Sequence, residues 1–185
     1  MGLREELQRI AELAAPFAAD GESLAGILAA EPARGRRIYV CAFADGDGAR
    51  TWLALDEGGA PVSSLAAVRE AVSISALCEF AEETAAGGDL GELRSQLVRL
   101  RVTESPPGIE EAEEAALALE RALRAPPRVA SPEYLDALGA ATRRLEQALG
   151  NGGPSPFAEA MRQGVGAVEE LAGDVERRYK LDLGS

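Results

Sequence analysis

The stretch Arg37-Ile38-Tyr39-Val40-Cys41-Ala42-Phe43, followed beyond Asp45-Gly46-Asp47-Gly48 by Thr51-Trp52-Leu53-Ala54-Leu55, decides the fold class. Two short runs of β-branched and aromatic residues, parted by Asp-Gly turn signals, predict a β-hairpin near residues 37–56. Gly58-Gly59 and Pro61 close its second strand. Two strands are marginal by themselves, so the hairpin lies against helices or gains a third strand.

On either side, apolar residues return in steps of three and four. Leu3, Leu7, Ile10, Ala14 and Phe17 mark a first helix ending near Asp20-Gly21, with Pro16 able to shorten it, and Ser23 to about Ala30 reads as a short second helix stopped by Pro32 and Gly35. After the hairpin, Ser63 or Ser64 can cap a helix bearing Leu65, Val68, Val72, Leu77 and Phe80, which ends at Gly87-Gly88. Asp89 and Glu92 open the next, with Leu90, Leu93, Leu97 and Leu100, and Pro106-Pro107-Gly108 breaks it. A helix with Ile109, Ala112, Ala116, Leu119 and Leu123 runs to Pro126-Pro127, and Ser131-Pro132 opens one with Leu135, Leu138, Leu145 and Leu149. The last and longest is expected from about Pro156 to Leu181. The expected class is mainly α: a helical, bundle-like single domain with one β-hairpin, α+β being possible. Gly150 to Pro156 is the linker-like stretch, and it divides a helical domain, residues 1–150, from a C-terminal helix, residues 151–185, packed on that domain or on a partner.

Composition narrows the chemistry. Charged residues are 27% and hydrophobic ones 46% of 185, which suits a globular core. Alanine supplies 36 of those residues while aromatics are 4%, so the core must come from aliphatic side chains and closely packed helices. The net charge of −12 opposes attraction to phosphate backbones and to anionic lipid, so neither nucleic acid nor a membrane is an expected partner. Histidine is absent, which removes Ser-His and Cys-His nucleophile pairs, His-ligated zinc and the commonest general base at neutral pH. Cys41 and Cys78 form no Cys-x-x-Cys and read as reduced, buried thiols. The start Met1-Gly2-Leu3-Arg4-Glu5-Glu6 carries acids where a signal peptide needs a basic region, so a cytoplasmic location is expected.

Among the acidic residues, Glu110-Glu111-x-x-Glu114 is followed, after eighteen residues, by Glu133-x-x-Asp136. This pattern resembles the Glu-Glu-x-x-Glu and Glu-x-x-Asp pair that binds Mg²⁺ in the all-helical nucleotide pyrophosphatases of the MazG type. The resemblance covers about 27 residues. It implies carboxylates on two neighbouring helices holding Mg²⁺ against a triphosphate, a task for oxygen ligands that needs no histidine. Helical geometry argues for the plainer alternative, because the apolar stripes lie opposite Glu111, Glu133 and Asp136 and away from Glu110 and Glu114. Both carboxylate sets are therefore expected to face solvent.

Other constellations fall to structural readings. Asp45-Gly46-Asp47-Gly48 begins like a calcium loop, yet Ala49 and Arg50 fill two required positions, and a hairpin turn explains the glycines. Glu79, Glu82 and Glu83 beside Cys78 read as a wet helix edge, and Arg34, Arg36 and Arg37 as an exposed lead into a strand. In the last helix, Met161, Val165, Val168, Ala172, Val175 and Tyr179 keep a heptad-like rhythm. That stripe is either core or a partner interface, and a homodimer through it is the expectation with consequences for function. The favoured function is therefore a small, acidic, cytoplasmic protein-protein interaction or regulatory module without catalysis or cofactor; the alternative is the Mg²⁺-dependent pyrophosphatase. An acidic mimic of nucleic acid rests on net charge alone.

Overall fold

The hairpin is the centre of a three-stranded antiparallel sheet in the order β1-β2-β3, formed by Ser23–Ala33, Arg36–Ala44 and Arg50–Asp56. The computed structural model describes residues 2–87, 90–124, 129–150 and 155–180. Among the described residues six α-helices accompany the sheet: α1 (Leu3–Ala14), α2 (Leu65–Ala86), α3 (Leu90–Thr103), α4 (Ile109–Arg124), α5 (Pro132–Ala148) and α6 (Pro156–Arg177). Among the described residues helix far outweighs strand, so the class is mainly α with a small β part. The expected Asp89 cap, the Pro126-Pro127 stop and linker residues 151–154 fall outside the described residues.

The chain divides into two compact units. The first holds Met1–Ala76, Arg128–Pro132 and Ala167–Ser185. On one face of its sheet, Tyr39, Cys41, Phe43, Leu53 and Leu55 join Ile10 and Ala14 of α1 in a buried cluster, with Leu7, Phe17, Leu24 and Ile27 packed around it. The alternate residues Ile38, Val40, Ala42, Trp52 and Ala54 are buried too. A sheet covered on both faces explains why its strands read as continuous apolar runs. At the β2–β3 turn the Asp45 carboxylate accepts backbone N–H bonds from Asp47 (3.0 Å) and Ala49 (2.9 Å), and Gly48 takes φ +80°. Asp45 is thus occupied in shaping a turn.

Ser23–Ala33 corrects the expected second helix: it is the third strand. Its Ala and Leu residues favour a helix locally, but pairing Ile27 with Cys41 and Ala29 with Tyr39 gives its backbone a ladder and its apolar side chains a core. Pro32 sits where the register slips between Ala30 and Ala33, a place that tolerates a residue without an N–H. Pro16 does end α1 early: Ala15–Phe17 is a 3-10 turn. Both sheet edges are partly covered by distant segments, which blunts them against other chains. Ala130 accepts from Glu31 N–H (2.8 Å) beside β1, while Trp52 N–H donates to Arg178 (3.1 Å) and Lys180 N–H to Trp52 (2.7 Å) beside β3. That pairing also stops α6 at Arg177, short of the expected Leu181.

The second unit holds Leu77–Pro127 and Glu133–Gly166 and is helical. Gly164 of α6 lies against Phe80 of α2 so closely that a Cβ there would fall 2.6 Å from the ring. Leu138 and Leu145 of α5 and Ile109, Ala112, Ala116 and Leu119 of α4 are buried, as their spacing predicts. Among the described residues no helix is long and apolar enough to cross a membrane.

Candidate functional site: the cleft between helices α3 and α4

Pro106-Pro107-Gly108 turns the chain so that α3 and α4 pair antiparallel. Arg101 meets Glu113 at 3.0 Å, and seven residues earlier on α3 and later on α4, Arg94 pairs with Glu120. Glu120 is itself buried and also holds Arg124, so a carboxylate inside the helix pair is balanced by two guanidinium groups. Between the two Arg–Glu contacts lies a cleft of about 380 Å³ whose floor is Val98 and Leu117. One wall carries Arg94 and Arg101, the other Glu110, Glu113 and Glu114. The surface continues onto α3, where Val98 is 45% and Val102 77% exposed.

All five carboxylates of the metal reading are exposed, and of them Glu110 and Glu114 line this cleft beside two arginines. The five are not brought together: among the described residues, no three His, Cys, Asp or Glu side chains converge as a metal ion needs. Arg94, Val98, Arg101, Glu113 and Leu117 escaped the reading of the sequence. Their signal is the matched seven-residue spacing of Arg94 and Arg101 against Glu113 and Glu120, which acquires meaning only when the two helices are folded back on each other.

The α6 stripe is divided. Val168, Ala172 and Val175 are buried, Met161 is half-buried, and Val165 is 43% exposed. Tyr179 follows the helix, donating its hydroxyl hydrogen to the Val62 carbonyl (2.6 Å) and accepting the Ala54 N–H (3.0 Å). From Val168 onward the stripe is occupied within the chain.

Two reactive side-chain types sit in inert surroundings. Burial pushes the Cys41 thiol up to about 12, which denies it a thiolate at neutral pH. Lys180 Nζ bonds Glu22 and the Phe17 carbonyl (2.8 Å) and lies 4.6 Å from the centre of the Phe43 ring. Lys180, together with the Thr51 hydroxyl and Ala19 N–H, holds the Glu22 carboxyl down at about 2, so Glu22 stays a carboxylate at neutral pH. Neither group is placed as a nucleophile or a base. Comparison with protein-family models, with curated proteins and with solved structures finds no match, and the reading of the cleft rests on its own geometry.

Proposed function

We propose that the chain is a non-catalytic protein-interaction module that works in the cytoplasm through the exposed face of α3 and α4. The observation that carries this reading is the juxtaposition of exposed Val98 and Val102 with walls of opposite charge, Arg94 and Arg101 against Glu110 and Glu114. Apolar surface rimmed by charge is the anatomy of a protein interface. The pyrophosphatase alternative draws on Glu110 and Glu114 in the same cleft, but the arginines opposite them put positive charge where Mg²⁺ would have to sit. Nucleic acid and membrane lipid suit neither the cleft's mixed charge nor the net charge of −12.

The test compares tagged wild-type protein with the double variant Val98→Asp/Val102→Asp in pull-downs from the native cell, scoring untagged copies of the chain along with other proteins. A protein retained by the wild type and lost by the variant supports the reading. Identical retention by both overturns it, as does Mg²⁺-dependent release of pyrophosphate from nucleoside triphosphates that Glu114→Gln abolishes.

A further inference from the structure

We infer that the α3–α4 face pairs with the same face of a second copy of this chain; the inference rests on reading that face as an interaction surface. Charge is segregated between the two helices. The sequence of α3 holds the arginines Arg94, Arg99 and Arg101 and a single acid, Glu92, whereas α4 holds Glu110, Glu111, Glu113, Glu114 and Glu120 with Arg121 and Arg124. Over residues 90–124 seven acids stand against five arginines, so this face carries both signs, segregated by helix. A strongly basic partner would leave the arginine wall opposed to like charge. A second copy satisfies both walls.

The symmetry follows from the helix pairing. Because α3 and α4 run antiparallel with Arg101 level with Glu113, a half-turn about an axis parallel to the helices sets each α3 against the partner's α4 at the same height. Each arginine wall then meets a glutamate wall. Glu110 and Glu114, for which no ion pair is described within the chain, come opposite arginines, and Val98, Val102 and Leu117 from both copies meet at the centre. A helix of fourteen residues is about 21 Å long and a helix pair about 20 Å wide, so each copy buries on the order of 400 Å². That is about half of a standard interface and sets a weak, concentration-dependent dimer.

Charge-swap complementation in sedimentation equilibrium is the test, on the full chain, with helical content followed by circular dichroism. The wild type should show a monomer–dimer equilibrium below about 1 mM. Arg101→Glu alone and Glu114→Arg alone each place like charges at two symmetric contacts and should weaken it by at least about tenfold. An equimolar mixture of the two variants restores opposite charges at both contacts and should dimerise within a few-fold of wild type. Glu110→Arg replaces Glu114→Arg should the latter lose helix. A wild type that stays monomeric, variants that dimerise like it, or a mixture that stays dissociated overturns the inference. If the chain is monomeric and Val98→Asp/Val102→Asp still loses a different protein in the pull-down, self-pairing fails while the interaction reading survives.

Discussion

Lys180 and Glu22, 158 positions apart, form an enclosed ion pair whose side chains are only 13% and 10% exposed. The pair ties the segment after α6 to the entry of β1, and Lys180 is the only lysine in the chain. A carboxylate held at about 2 in the fold and near 4.5 when unfolded stabilises the native state above pH 4.5 and loses that contribution as pH falls from about 4.5 through about 2. Glu22→Gln should therefore lower stability at pH 7 and flatten the acid limb of the melting profile. Urea melts across pH 2–7, read by the emission of the buried Trp52, check this; parallel acid limbs in variant and wild type would contradict it.

Tyr179→Phe should destabilise the first unit by about 1–3 kcal/mol, because the Ala54 N–H loses its acceptor and the Val62 carbonyl its donor. The change removes no apolar surface, so a loss of that size in equilibrium urea unfolding identifies the hydroxyl as the cause. An effect below about 0.5 kcal/mol would mean that water replaces both bonds.

Val168→Asp should unfold the first unit. The Val168 side chain is buried, and a carboxylate there costs about 4 kcal/mol or more, a large part of the stability of a small domain. Circular dichroism and Trp52 emission should both report the loss. A folded protein whose only change is a lower sedimentation mass would show instead that Val168 belongs to an interface.

Gly164→Ala and Gly166→Ala, two residues apart on α6, should act in opposite directions. Helix propensity favours alanine at both by up to about 1 kcal/mol. At Gly166 nothing lies within 4 Å of the added methyl and stability should rise, whereas at Gly164 the methyl meets Phe80 at 2.6 Å and overpacking should cost about 1–3 kcal/mol. Thermal melting of the two variants decides it, and equal shifts of the same sign would refute the close approach.

The elements legible from sequence are those whose signal is local. The β2–β3 hairpin was readable because Asp45 and Gly48 encode their own turn and the apolar runs on either side are too short for helices. The starts of α2, α4 and α5 followed from capping residues and prolines, and the burial of Leu138 and Leu119 from helical spacing. Ser23–Ala33 was illegible for the converse reason: its alanines and leucines state a helical preference worth tenths of a kcal/mol each, and the ladder with β2 outweighs it. The same distinction governs the candidate site. Sequence alone determined that any function must do without histidine, and it singled out Glu110 and Glu114. Tertiary structure alone decided that they face Arg94 and Arg101 across an apolar floor, and that Tyr179 closes a sheet edge. Periodicity tells which side of a helix is apolar, but the partner that covers it is chosen by the chain's long-range pairing, a free energy that no single segment contains.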